Sequence, residues 1–127
     1  MDLTVLFTYA SIFLALVGFA GLISPISFMA GSPDSSSQVL LVIVRIMACA
    51  CLGIAVTDWR ARNSEPSPTR NAIIFENIFG FSVASIFEIL AVIQRFNITI
   101  GVVAIISAIF VNSFLIVGLS NLSDPSS

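Results

Sequence analysis

Four long apolar blocks fill this chain almost from end to end, at residues 3–23, 38–57, 71–93 and 98–119. About 20 consecutive apolar residues cross the hydrocarbon core of a bilayer, so each block predicts a membrane-spanning helix. Polar stretches at 24–37 and 58–70 and a tight connection at 94–97 separate them. The tight connection makes the third and fourth helices antiparallel neighbours. The expected fold is all-α, an integral membrane antiparallel four-helix bundle formed by one domain over residues 1–127.

Punctuation between the blocks refines their ends. Pro25 closes the first block, and Asp34, Ser35, Ser36 and Ser37 offer N-cap oxygens to the second. Asp58-Trp59-Arg60 reads as the interfacial end of the second helix, where Trp prefers to sit. Pro66 and Pro68 predict a non-helical linker after it. No basic region precedes Leu3, so the first block reads as a span and not as a cleaved signal peptide. The tail at 123–127 is short and polar, which predicts fraying.

An even number of spans puts both termini on one side. Arg60, Arg62 and Arg70 fall on that side, Arg95 on the other, and Arg45 lies within a span. The excess of arginine predicts that both termini and the 58–70 linker are cytoplasmic. The glycosylation patterns at Asn97 and Asn121 read as chance matches, one against the membrane and one on the cytoplasmic side.

Polar residues within the blocks carry the remaining information. In the third block Asn77, Gly80, Ala84, Glu88, Ala91 and Arg95 share one helical face, with Phe75, Phe79, Ile86, Leu90 and Ile93 opposite. Small faces pack on helices and bulky faces meet lipid. Matching stripes are Thr4, Thr8, Ser11, Ala15 and Gly18 in the first block and Gln38, Arg45, Cys49, Leu52 and Val56 in the second. Gly101, Ala104, Ala108 and Asn112 form the stripe in the fourth. Arg45 and Glu88 fall at similar depth, and a charge inside a span is relieved by a partner. They are expected to form an intramembrane pair. Glu76 is expected to be an interfacial carboxylate held by an arginine of the linker, or else part of a cytoplasm-facing polar pocket with Asn77 and Asn112.

Composition excludes several functions. Hydrophobic residues make up 57% of the chain and charged residues 9%, too few charges to cover a water-facing surface. The net charge of −2 leaves no basic footprint for nucleic acid. All five cations are arginine. Without histidine the usual general base and most zinc sites are missing, and without lysine so is Schiff-base chemistry. Cys49 and Cys51 point in different directions on a helix and read as packing residues. No catalytic residue, metal site or cofactor is expected, and a cofactor-binding set cannot be named. The eleven phenylalanines read as ordinary packing and belt material.

These readings favour a non-enzymatic accessory, assembly or scaffold subunit that packs against other membrane proteins or itself. The alternative is a small oligomeric transporter or channel that uses Arg45 and Glu88. In span number the chain is similar to the small multidrug-resistance transporters, although their essential carboxylate lies in the first helix and this first helix has none. A third reading is an enzyme. The stretch from Arg70 and Asn71 through Phe75, Glu76, Asn77 and Gly80 to Phe81 resembles a segment of the MAPEG family of glutathione-using membrane enzymes. That resemblance implies that Arg70, Asn71 and Glu76 would hold glutathione. It covers about a dozen residues, differs in the Arg70-to-Glu76 spacing and begins the third helix, not the second. Arg45, Gly53, Trp59, Arg60, Arg62 and Arg70 look like the spacing in small four-helix bacterial membrane proteins, a likeness that implies architecture and no mechanism.

Overall fold

A computed structural model describes residues 1–29, 37–94 and 98–122. Its helices are α1 (Leu3–Ile23), the single turn α2 (Ile26–Met29), α3 (Gln38–Ala61), α4 (Pro68–Gln94) and α5 (Ile98–Ser113). A π-helical segment, Phe114–Gly118, continues α5 without a break. Four of these rods are long and apolar enough to cross a membrane. The chain is therefore a helical, multi-pass membrane protein in contact with the bilayer. The proposed caps Asp34, Ser35 and Ser36, together with Arg95, Asn97 and residues 123–127, lie outside the described residues. Ser37 does stand at the N-cap of α3, but its side chain makes no capping bond.

Two expected boundaries move. The second span runs on through Ala61 and so takes in the stretch read as an interfacial end. Pro68 opens α4 instead of keeping the linker irregular. A proline costs nothing in the first turn, where its missing N–H would have had no helical partner. Ser67 caps that turn, its Oγ accepting from the Arg70 N–H at 3.2 Å.

The helices associate in two pairs, α1 with α3 and α4 with α5. The first pair is close because its contact is built from small residues. A Cβ added at Gly18 would lie 2.7 Å from Leu52 Cγ and 2.9 Å from the Ala48 carbonyl oxygen. One added at Gly21 would lie 2.8 Å from Ala48 Cβ. Lipid gives no hydrophobic drive between helices, so such close backbone approach supplies dispersion instead.

Large rings join the two pairs. Phe81 stacks on Phe110 at 5.0 Å, and Phe13 meets Phe110 at 5.4 Å and Phe81 at 6.3 Å. Phe114 lies edge-on to Phe7 at 5.6 Å and near Phe81 at 6.2 Å. Phe7 and Phe114 are fully buried. Four of these phenylalanines, Phe7, Phe81, Phe110 and Phe114, are buried core, and Phe13 is a partly buried ring packed against them, within their reading as packing material. The opposite face of α4 meets the expectation, with Phe75, Phe79, Ile86, Leu90 and Ile93 all exposed.

The contact from Phe7 to Phe114, and a hydrogen bond from Arg70 Nη2 to the Asn121 carbonyl at 2.8 Å, bring four chain segments to one end. They are the start of α1, the α3–α4 turn, the start of α4 and the chain after the π segment. Gly118 permits this closure, because a Cβ there would lie 2.8 Å from Ile74 Cγ2.

Candidate functional site

The most deeply buried polar contact joins α3 to α4. Asn77 Nδ2 donates to Asp58 Oδ1 at 2.7 Å and to the Ile73 carbonyl at 3.0 Å. Asp58 is 0% and Asn77 2% exposed. Asp58 Oδ2 and Asn77 Oδ1 have no hydrogen-bond partner. Sequence reading missed Asp58 because it borders Trp59 and Arg60 and so resembled an interfacial residue. The available signal was its spacing: Ala48, Ala55, Asp58 and Ala61 recur on one helical face, and that face is buried.

A second polar group lies where the two helix pairs meet. A cleft of about 150 Å³ is lined mainly by Phe13, Ile54, Asn77, Phe81, Glu88 and Ser107, and reaches Glu76 and Gly80 at its edge. Ser107 Oγ donates to Glu88 Oε1 at 3.4 Å, a long bond. Glu88 Oε2 and Ser85 Oγ are buried without a partner. The cleft persists because α3 and α4 touch little along their length. Nothing lies within 4 Å of a Cβ built at Gly53 or Gly80.

The expected pairing of Arg45 with Glu88 is not present among the described residues. Arg45 is exposed on the outside of α3, while Glu88 turns toward α5 and Ser107. The physical reason is helix rotation. The stripe Gln38, Arg45, Cys49, Leu52 and Val56 was chosen to bury its charge, whereas α3 turns Ala48, Ala55 and Asp58 inward against α1 and α4.

The three-residue pocket does not converge either. Asn77 is buried against Asp58, Glu76 is exposed, and Asn112 is exposed with its Nδ2 on its own helix's Ala108 carbonyl at 2.9 Å. Glu76 has no ion pair with an arginine among the described residues; Arg70 spends its guanidinium on the Ser64 and Asn121 carbonyls. Arg62 lies over the Trp59 ring at 3.2 Å from its centroid.

The arrangement offers hydrogen-bonded carboxyls within a helical bundle, one of them facing an open cleft. Among the described residues no three His, Cys, Asp or Glu side chains gather as metal ligands. Of the residues that the MAPEG likeness implies, Glu76 and Arg70 form no ion pair among the described residues. No protein-family model, no curated protein and no solved structure matches the chain.

Proposed function

We propose that the protein is a small non-enzymatic accessory or assembly subunit that docks on another integral membrane protein through the outer face of α3. The observation that carries this reading is the exposure of Arg45 on that face. Arg45 lies seven positions past Gln38, about 10 Å along the helix. A charge inside a span costs up to about 2.5–3.5 kcal/mol on insertion scales, less toward the span's end, and a partner's carboxylate or carbonyl groups relieve it. Around it Val42, Ile46 and Met47 are exposed, and only 11% of the most apolar part of α3 is buried, against 39% of α1. The helix is thus held on one side and presents the rest of its surface outward.

Purification in a gentle detergent followed by native mass spectrometry tests the reading. The expected result is a complex with a larger membrane protein, weakened more than tenfold by Arg45→Leu. A clean homodimer would contradict it. The cleft beside Glu88 favours a second reading, a small oligomeric transporter, since a carboxyl inside a span often marks a substrate path. A homodimer carrying a small ligand, with flux lost in Glu88→Gln, would support that reading. We further propose that both termini face the cytoplasm, following the arginine bias of that end.

A further inference from the structure

At the end of the bundle where α1 begins and the π-helical segment ends, α3, its following turn and α4 line an open hollow of about 340 Å³. That volume is at the lower end of the range for small-molecule sites. Arg60, Arg70, Ser67 and Thr69 line it together with the apolar Val56, Ala61 and Ile73. Thr57 and Ser64 also line it, but each has its hydroxyl on a backbone carbonyl, of Gly53 and Ala61. No carboxylate lines the hollow.

The donors in this hollow exceed the acceptors. Arg60 is exposed and makes no hydrogen bond or ion pair among the described residues. Arg70 is held in place by Nη1 on the Ser64 carbonyl at 3.3 Å and Nη2 on the Asn121 carbonyl at 2.8 Å. Each terminal nitrogen of a guanidinium carries two hydrogens, so one on each stays free. Both its acceptors are neutral, and its positive charge is uncompensated by any ion pair among the described residues. Ser67 Oγ accepts from the Arg70 N–H, which leaves its own O–H free to donate. The helix cap is therefore already satisfied, and the site rests on the two guanidiniums and not on the end of α4.

We propose that this hollow binds a phosphate-bearing anion, with Arg60 and Arg70 on the phosphate oxygens and Ser67 and Thr69 as hydroxyl donors. Guanidinium is suited to phosphate because its planar fork matches two oxygens at once. The hollow sits where α3 leaves its apolar run, and Arg60 follows directly on Trp59 in sequence, a half-exposed residue of a type that favours the membrane interface. The hollow's lining also supplies apolar surface, from Val56, Ala61 and Ile73. A membrane phospholipid brings a phosphate and an apolar body to this place together, and a free phosphate brings the same headgroup chemistry alone.

The test uses the full chain, delipidated in a neutral detergent, with native mass spectrometry of bound ligand. Phosphatidylglycerol, phosphatidylcholine and inorganic phosphate are titrated separately. The expected result is one phosphatidylglycerol per chain, with Arg60→Gln weakening it about tenfold, as for loss of one charge-assisted hydrogen bond. Arg62→Gln, which removes the same charge from outside the hollow, changes it less than twofold. Arg60 makes no hydrogen bond or ion pair among the described residues, and an unchanged melting temperature shows that the variant folds. Inorganic phosphate binding with the same Arg60 dependence would keep the site and assign it to free phosphate. Equal loss in the Arg60 and Arg62 variants, or no loss in either, would overturn the proposal.

Discussion

Replacing Asn77 with Leu tests whether the Asp58–Asn77 contact holds α3 to α4. The substitution keeps the branched heavy-atom shape, with two methyl groups in place of the amide oxygen and nitrogen, and removes the 2.7 Å donor to Asp58. Two magnitudes compete. A hydrogen bond to a charged group contributes about 1.5–3 kcal/mol in soluble proteins, while contacts between membrane helices average about 0.6 and reach about 1.7 kcal/mol. Asp58 lies one turn from the end of α3 and has its second oxygen unpartnered. Losing Asn77 leaves that buried carboxyl with no partner for either oxygen, so the upper membrane value applies. We expect Asn77→Leu to cost about 2–3 kcal/mol, with the desolvation of the orphaned carboxyl included. Asp58→Leu should cost less, because Asn77 keeps its bond to Ile73. The double variant should then be about 1.5 kcal/mol more stable than the summed single costs imply. Reversible unfolding in mixed micelles measures this, with Trp59, the only tryptophan, as a probe beside the contact. Costs that add to within about 0.5 kcal/mol would refute the coupling.

Other perturbations separate close contact from open space. Gly18→Val should destabilise by about 1–3 kcal/mol through overpacking against Leu52 and the Ala48 backbone. Gly53→Ala, in open surroundings, should be neutral or stabilising by up to about 1 kcal/mol; thermal unfolding of both reads the contrast. Phe81→Ala should cost about 3–5 kcal/mol, since it removes the ring that touches Phe13, Phe110 and Phe114; a loss below 1 kcal/mol in the same unfolding assay would remove it from the core. Arg45→Leu and Glu88→Gln should have additive effects on stability within about 0.5 kcal/mol, because no ion pair joins them among the described residues. A larger coupling in that double-mutant cycle would restore the pair.

Much of the architecture was legible in the sequence because lipid imposes a strong constraint on length and polarity. The apolar blocks located four helices, and the exposed side of α4 followed from bulky residues at helical spacing. Rotation of α3 was not legible, because polarity was allowed to decide it. Arg45 suggested an inward face, whereas the nearer backbone contact is set by Gly18, Gly21 and Ala48. A small residue opposite another small residue fixes how close two helices come, and a long arginine can point outward. Asp58 was hidden for the related reason that its neighbours are interfacial while its own spacing matches Ala48 and Ala55. The ring cluster was illegible for another reason. Phenylalanine faces lipid as readily as it packs in a bundle, and only the pairing of helices decides which.

The most direct test of the docking claim places a photoreactive residue at position 42, among the exposed residues beside Arg45, and another at position 86 on the lipid-facing side of α4. The account predicts a discrete crosslink to a second membrane protein from position 42, lost in Arg45→Leu, and only lipid adducts from position 86. Lipid adducts alone from both positions would contradict it.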